Sequence, residues 1–470
     1  MDYIIVGAGP SALTMAWYLA KAGKTCTLVE QQPVIGGCHR VLREDGYFTE
    51  HGPRIYSTSY VNFKALLKNM NLEFKNLFTP YKFNIASIGA KTFQSVMSWR
   101  EMFTFALAYL LNLPFPNYGK YTTMDEFMEE YNYSEAAHDY IDRLCRLSDG
   151  AGSARYTLHQ FLQLINQEGW YSLQQPKLPN DKGLLKVWEE KLLETKRVKI
   201  LLNTKVLGFE ANGNKITSMR IETTDGTSKL EGKLQGKHFV LAIPPTHSLP
   251  ILEDNILTRN AFGTRYKEWA LAHEYLTYIS ITFHWNCKLP LPKVWGFSQT
   301  KWGLVFVLLS DYMKFTSCET VISVALTTYT GNDSKETLIS ETLAQLRESY
   351  PSLPAPDKSL VNPNNYQCNG WKDLDSGYVR TPYKLLDSMF VPFTSSFVNL
   401  SNVGTQNGKS DYVFTSIESA VSNAVSFVRT QGIEVKKFKG WKINHVFSFG
   451  VLFLLFKLSF YFKPSKVSKP

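Results

Sequence analysis

The sequence predicts an α/β protein: a Rossmann-type dinucleotide-binding domain assembled from discontinuous segments, with an inserted α+β domain. Three observations lead to this prediction. The chain opens with a strand, a glycine-rich turn, a helix and a second strand. Strand and helix patterns of the same kind recur near residues 180 to 245 and 395 to 430. The segments between them differ, since residues 60 to 171 have a mostly helical periodicity and residues 277 to 330 an alternating, strand-like one.

The opening stretch carries a dinucleotide-binding motif. Residues 3–6 form the short apolar run of a buried parallel strand. Gly7, Gly9 and Ala12 follow with the G-x-G-x-x-A spacing, which gives a tight turn, a close backbone approach to a pyrophosphate and close packing of the next helix. Glu30 ends the second strand, where a carboxylate accepts hydrogen bonds from ribose hydroxyls. The motif predicts a dinucleotide site and leaves open whether NAD or FAD occupies it.

Composition and charge indicate a globular protein without a general nucleic-acid surface. The 470 residues are 44% hydrophobic and 14% aromatic, enough for two or three cores. The net charge is +10, and residues 433–470 hold eight lysines against one glutamate. Seven of the ten net positive charges therefore belong to this tail, and the rest of the chain is nearly neutral.

The cysteine pattern predicts thiols in a reducing compartment and no metal site. None of the cysteines has CxxC spacing or pairs with nearby histidines as metal ligands. The six are Cys26, Cys38, Cys145, Cys287, Cys318 and Cys368. Because the first strand starts at residue 2 or 3, we expect no signal peptide and a location on the cytoplasmic side rather than secretion.

Four later stretches follow the opening motif in a set order. The Gly36-Gly37 pair comes first, and "NTKVLGFEANGNKITSMRI" and "HFVLAIPP" lie in the middle of the chain. Near the end, "VGTQNGKSDYVFTSIESAVSNAV" has the pattern of a strand end, a glycine loop and a small-residue helix. Together these stretches resemble the flavin-containing amine oxidase superfamily, which includes monoamine and polyamine oxidases, protoporphyrinogen oxidase and phytoene desaturase. The resemblance runs in the family's order from residue 2 to about residue 430.

The resemblance implies a GR2-like FAD-binding domain, because the extended loop of the second glycine motif runs along FAD and has no counterpart in NAD enzymes. It divides the chain into an FAD-binding domain (1–75, 180–265 and 390–432), a substrate domain (76–179 and 266–389) and a tail (433–470). The implied cofactor-binding residues are Gly7, Gly9, Pro10, Ser11, Ala12, Glu30, Gln31, Gly36, Gly37, Arg40, Gly52, Pro53, Arg54, Val206, Gly404, Gln406, Val413 and Phe414.

The sequence departs from the family pattern at several of these positions. Gln406 replaces the usual acid, and Phe414 is bulkier than the family's residue. Arg40 replaces, in a shifted register, the arginine of the family's G-G-R. The stretch "LDSGYVRTP" has no cysteine to tether a flavin, so non-covalent FAD is expected. The strand "EYLTYISITFHW" has no lysine where amine oxidases place one near the flavin.

These residues leave three functions open. The first is an FAD-dependent oxidoreductase that transfers hydride from a substrate C–H or C–N to flavin N5, with Arg54, Tyr378 and Tyr412 as candidate catalytic residues. The two tyrosines align with an aromatic cage that suits a cationic or apolar substrate. The second is a non-redox flavoenzyme, because residues 35–63 also resemble UDP-galactopyranose mutase. The third is a catalytically inactive flavin-fold protein.

The tail contains an apolar stretch, "HVFSFGVLFLLFKLSFYF", that has lysines on both sides and Lys457 inside it. Its length is at the short limit for crossing a bilayer. Three interpretations remain open: a single-pass anchor, a helix lying in the membrane interface, and a C-terminal core helix. Membrane attachment would fit a lipophilic substrate.

Overall fold

The computed structural model describes most of the chain. The described residues are 1–52, 55–81, 96–115, 117–149, 152–165, 171–271, 274–275, 279–291, 295–297, 300–316, 318–363, 366–367, 370–371, 378–379, 391–412, 415–440 and 450. The helices described there are α1 (Pro10–Lys21), α2 (Val61–Asn69), α3 (Phe74–Leu77), α4 (Trp99–Asn112), α5 (Met124–Glu130), α6 (Glu135–Asp149), α7 (Leu158–Ile165), α8 (Leu184–Glu194), α9 (Pro245–Glu253), α10 (Tyr266–Leu271), α11 (Lys335–Ser349) and α12 (Ile417–Thr430).

The strands described in the same ranges are mostly short. They are β1 (Tyr3–Val6), β2 (Cys26–Val29), β3 (Val41–Glu44), β4 (Tyr47–Glu50), β5 (Tyr56–Ser57), β6 (Phe78–Pro80), β7 (Leu173–Pro176), β8 (Val198–Leu201), β9 (Thr204–Asn212), β10 (Lys215–Asp225), β11 (Ser228–Leu234), β12 (His238–Leu241), β13 (Glu274–Tyr275), β14 (Ile279–Trp285), β15 (Trp295–Phe297), β16 (Leu304–Leu308), β17 (Thr320–Leu326), β18 (Lys358–Val361), β19 (Tyr366–Gln367), β20 (Gly370–Trp371), β21 (Tyr378–Val379) and β22 (Leu400–Asn402).

A five-stranded parallel sheet organises the nucleotide-binding part of the fold. Its order is β22-β12-β1-β2-β8, and all four neighbouring pairs are parallel. Ile5 packs into the core with α1 and α12, whereas Ile4 and Val6 pack into a second core with β9 and β10. Both faces of the sheet are therefore covered, which explains why β1 is apolar at every position. The α/β fold that the sequence predicts is confirmed.

An antiparallel sheet forms the core of the second part. Its order is β15-β16-β17-β14-β18, and α11 packs against it. The central strands β14 and β17 are buried at every position. A separate helical cluster contains α4 to α7, and capping boxes start α4 at Ser98 and α5 at Thr123. The boundaries that the sequence predicts for the two domains remain predictions.

The tail leaves the nucleotide-binding part on the side of α2. Apart from Gly450, the apolar stretch at 445–462 lies outside the described residues. No helix within the described ranges is long and apolar enough to cross a bilayer.

Candidate dinucleotide-binding site

The carboxyl ends of β1, β2, β12 and β22 meet at one edge of the parallel sheet, where they border a cleft. Open α/β sheets bind ligands in this position. The free volume of the cleft is about 810 Å³, open solvent at its mouth included. Its described lining consists of Gly7, Ala8, Gly9, Pro10, Ser11, Glu30, Gln31, Gln32, Gly37, Cys38, Arg40, Ala242, Ile243, Pro244, His247, Val403, Gly404, Thr405 and Gln406.

The structure gives a different physical reason for glycine at each of the first two glycine positions of the opening motif. Gly7 has φ +98°, and a Cβ there would lie 2.8 Å from the carbonyl oxygen of Ala242. The fold itself therefore requires glycine at this position. Gly9 has φ −79°, which any residue adopts. A Cβ at Gly9 would lie 3.8 Å from the Cα of Gly37, an ordinary contact. The protein leaves room for a side chain at Gly9, so the glycine keeps the backbone open to something in the cleft.

The cleft places positive charge next to Gly9. Gly9 is the N-cap of α1 and Pro10 is its first residue, and no side chain caps this helix end. The first-turn amides and the helix dipole therefore favour an anion there. The guanidinium of Arg40, 6% exposed, donates to the carbonyl of Gly37 at 3.0 Å and also borders the cleft.

Glu30 is held rigidly at the end of β2. One carboxylate oxygen accepts from the backbone N–H of Ala8 at 2.8 Å, and the other accepts from the N–H of Gln32 at 2.9 Å. Each carboxylate oxygen can accept more than one hydrogen bond, so Glu30 can still receive ribose hydroxyls. Its carbonyl accepts from the N–H of Thr204, which ties the start of β9 to this corner.

The C-terminal loop closes another side of the cleft. Gln406, 4% exposed, borders the cleft, and its side-chain amide donates to the Asn402 side chain at 3.4 Å. Gly404 donates its N–H to the side chain of Asn407 at 2.7 Å. Asn407 also donates to the carbonyl of Val391, so this loop is fixed from within. An amide at position 406 brings hydrogen bonds without a charge.

Several predicted cofactor residues lie at or behind the cleft. Ser11 borders it, but its hydroxyl donates to the carbonyl of Ala420 at 3.3 Å and thereby joins α1 to α12. Ala12 and Gly36 are buried directly behind the glycine turn. Val206, on β9, is buried in the second core and is not among the described lining residues. Its role in holding a nucleotide base stays a prediction.

Of the three predicted catalytic residues, Tyr412 alone has a described side chain. Tyr412 is 5% exposed, and its ring lies 6.1 Å from that of Tyr60. It belongs to the core under the sheet and is absent from the described lining of the cleft. Tyr378 lies on β21 opposite Tyr275, but its side chain is outside the described residues. Whether the two tyrosines form a cage stays a prediction.

The remaining predicted cofactor-binding or catalytic positions are Gly52, Pro53, Arg54, Val413 and Phe414. Gly52 is described and buried, but it does not line the cleft. Arg54, Pro53, Val413 and Phe414 lie outside the described residues. Their proposed roles stay predictions.

The structure adds residues that the motifs did not indicate. Ala242, Ile243 and Pro244 follow β12 and form one wall of the cleft. His247, in the first turn of α9, completes that wall. The sequence stretch "HFVLAIPP" could have indicated this wall. It contains β12, which pairs with β1 in parallel, so the carboxyl ends of both strands lie at the same edge of the sheet.

A second addition is a buried carboxylate shared by two helix starts. Glu418, in the first turn of α12, is 2% exposed. It accepts from the backbone N–H groups of Asn62 and Phe63 at 3.0 and 2.8 Å, and so caps α2. The Asn62 side chain also donates to it, at 2.7 Å. Burial raises the pKa of Glu418 to about 7, although its hydrogen bonds favour the charged form.

The residues present fit an extended dinucleotide. The cleft combines an uncapped helix start and a cation for a diphosphate with a fixed carboxylate for a ribose. The Gly9 position supplies the independent evidence, since the space that a Cβ would fill is left free beside the helix start.

Comparisons with known proteins agree with this geometry. The family model of flavin-containing amine oxidoreductases matches residues 12–389. A 15-cis-phytoene desaturase from Synechococcus elongatus is 39% identical over 74 residues, which span 16% of this chain and 16% of that protein.

Two solved structures share the fold over nearly the whole chain. An oxidoreductase from Methanosarcina mazei superposes with a TM-score of 0.65 at 15% identity, covering 91% of this chain and all of that one. Cyclohexylamine oxidase from Brevibacterium oxydans superposes with a TM-score of 0.60 at 13% identity, covering 92% and 99%. At these identities the likeness shows the fold alone, whereas the family model covers most of the sequence. The chain therefore belongs to the flavin-containing amine oxidoreductase family.

Proposed function

We propose that this protein is an FAD-dependent oxidoreductase that binds FAD non-covalently in the cleft. The observation that carries the proposal is the empty Cβ position of Gly9 beside the uncapped start of α1. Membership in a flavin-containing family makes a flavin dinucleotide the natural occupant. When bound, FAD accepts a hydride equivalent from a substrate carbon.

The residues of the chain bind and orient the cofactor in this proposal. The amides at the start of α1 and the Arg40 guanidinium neutralise the diphosphate. Glu30 receives the ribose hydroxyls and, being anionic, disfavours a 2′-phosphate. Gln406, in the loop that follows β22, donates or accepts hydrogen bonds without adding charge. This division of roles requires no covalent link to the protein.

The substrate is proposed as a class rather than as a compound. The family description favours an amine, and cyclohexylamine oxidase shares the fold. The phytoene desaturase match favours an apolar substrate instead. Both classes suit an aromatic cage made by Tyr412 and Tyr378, and this cage is part of the proposal. The family match makes the oxidoreductase preferable to a sugar-nucleotide mutase.

The cofactor can be tested on the purified full chain. We expect flavin absorbance bands, complete release of the flavin into the supernatant on acid precipitation, and co-elution of the released flavin with FAD rather than FMN. Flavin retained in the precipitate would contradict non-covalent binding. A protein that stays colourless after incubation with excess FAD would contradict the whole proposal.

The activity can be tested by anaerobic bleaching of the bound flavin. We expect bleaching by a member of an amine panel or by an apolar polyene, followed by recovery of the colour with an electron acceptor. Tyr412→Leu should weaken bleaching by the active compound, while its FAD content stays at the parent level. Turnover of a UDP-sugar without net redox change would favour the mutase.

A further inference from the structure

Helix α4 exposes a continuous apolar stripe. Trp99, Phe103, Leu107 and Leu110 follow one another at spacings of three or four residues, so they share one face of the helix. Trp99 is 86% exposed and Phe103 is 69% exposed. The opposite face packs into the helical core. We define the α4 stripe as Trp99, Phe103, Leu107, Leu110, Phe115 and Tyr121, all of which are exposed.

The stripe is concentrated rather than scattered. Among the described residues, fourteen large apolar side chains are exposed, and six of them lie between residues 99 and 121. Single exposed apolar residues are ordinary on any protein, but a contiguous patch of this kind marks a binding surface. The fold does not need these side chains for its core, because α4 is already fixed by its buried face and its capping box.

Two cationic side chains lie beside residues of the stripe. Arg100 is exposed next to Trp99, and the ammonium of Lys120 lies 5.3 Å from the ring centre of Tyr121. The acid of the first turn, Glu101, is turned inward, where it accepts from the backbone N–H groups of Ser98 and Ser134. Tryptophan and tyrosine with neighbouring cations are typical of side chains at a membrane–water interface.

The start of the basic tail is fixed against α2. Asn62 binds the backbone of Phe438 twice, accepting from its N–H at 2.8 Å and donating to its carbonyl at 2.9 Å. The ammonium of Lys436 lies 4.8 Å from the Phe438 ring centre. The tail is thus fixed against α2 up to this point. The lysine-flanked apolar stretch at 445–462 begins seven residues later in the sequence.

A series of interactions links this segment with α4. Burial raises the pKa of Tyr171, and the charge interaction with Tyr109 of α4 raises it further. The adjacent Ser172 donates its N–H to the hydroxyl of Thr58 at 2.8 Å. Thr58 lies four residues before Asn62, which holds the tail. These interactions link the segment that holds the tail to the core-facing side of α4.

We propose that the α4 stripe docks into the interface of an anionic lipid bilayer. The aromatic rings would lie at the level of the headgroups, the leucines would point into the acyl boundary, and Arg100 and Lys120 would contact lipid phosphates. The tail lysines would add attraction to the same surface. This attachment requires no helix that crosses the membrane.

The test is sedimentation of the full chain with vesicles of phosphatidylcholine containing about one-third phosphatidylserine. We expect the parent to bind, with weaker binding at high salt and to vesicles of phosphatidylcholine alone. The double variant Trp99→Ser/Phe103→Ser should lose at least about tenfold in its partition coefficient. The matched control Leu230→Ser/Ile256→Ser removes two exposed apolar side chains elsewhere and should bind like the parent.

Two outcomes would overturn the proposal. One is a parent that does not sediment with the vesicles, and the other is a stripe variant that binds as well as the parent. A change in molar mass of the stripe variant, with vesicle binding unaltered, would assign the stripe to contact between copies instead. If circular dichroism shows that the double variant is unfolded, the single variant Leu107→Gln replaces it in the test. Glutamine is a good helix former, so this variant should keep α4 intact and still weaken vesicle binding.

Discussion

Alanine substitutions at the two turn glycines should separate the requirements of the fold from those of the ligand. At Gly9 the backbone angle is ordinary, and the added methyl meets the Cα of Gly37 at 3.8 Å. Gly9→Ala should therefore leave the unfolding free energy of the FAD-free protein within about 1 kcal/mol of the parent, with a small gain from the less flexible unfolded chain. The same methyl occupies the space through which a diphosphate approaches the α1 amides.

The loss of FAD binding should be large for Gly9→Ala. Displacing the diphosphate from the helix start removes charge-assisted hydrogen bonds, each of which contributes about 1.5–3 kcal/mol. We expect FAD affinity to fall at least about a hundredfold, which corresponds to about 2.7 kcal/mol. Isothermal titration of the FAD-free protein measures the affinity, and urea unfolding measures the stability.

Gly7→Ala is the matched comparison. Here the methyl would lie 2.8 Å from the carbonyl oxygen of Ala242 and 2.9 Å from Ile243, at φ +98°. Left-handed strain and this overlap together should cost about 3 kcal/mol of stability with or without FAD. The reasoning is refuted if Gly9→Ala binds FAD like the parent, or if Gly9→Ala destabilises the FAD-free protein as much as Gly7→Ala does.

Three further predictions follow from single contacts. Glu30→Ala should weaken FAD binding about tenfold or more, because ribose acceptors are lost and two backbone amides lose their partner; titration with FAD checks it, and an unchanged affinity would contradict the assignment. Folding raises the pKa of Glu418 from 4.5 to about 7, so this carboxyl group binds more protons in the native than in the unfolded state between these values. Its own contribution to stability should therefore fall by about 3 kcal/mol as pH rises from about 5 to 8. Urea unfolding at several pH values should show the stability of the parent relative to Glu418→Gln fall by this amount, whereas a difference that stays constant with pH would exclude Glu418 as its source. Asn62→Ala should free the tail and speed tryptic cleavage after Lys436, Lys437 and Lys439, whereas equal cleavage rates would mean that the Phe438 contacts do not hold it.

Much of the nucleotide-binding part could be predicted because its signals are local. The predicted first strand at residues 3–6 coincides with β1, and Glu30 directly follows the end of β2. The turn between β3 and β4 is equally local, since Asp45 and Gly46 adopt positive φ angles that Asp and Gly tolerate. In each case the residues that decide the structure are adjacent in the chain.

The surroundings of the aromatic residues could not be predicted in this way. The resemblance to the family predicts a substrate cage that includes Tyr412, but its spacing does not indicate that the Tyr412 ring lies 6.1 Å from that of Tyr60 and belongs to the core. Likewise, the spacing that predicts Ser11 as a phosphate ligand does not indicate that its hydroxyl donates to the carbonyl of Ala420. A motif states which residue stands at a position, but the rotamer depends on neighbours that are distant in sequence.

By itself the sequence determined the α/β class, the glycine turn and the family, because each rests on residue types at short, regular spacing. Only the tertiary structure decided that Gly9 faces an open cleft while Gly7 faces Ala242. It also decided that Glu418 caps a helix 356 residues away and that α4 turns its aromatic side chains outward. The physical reason is that burial and hydrogen-bond partnership are properties of the packed chain, set by contacts that no local pattern encodes.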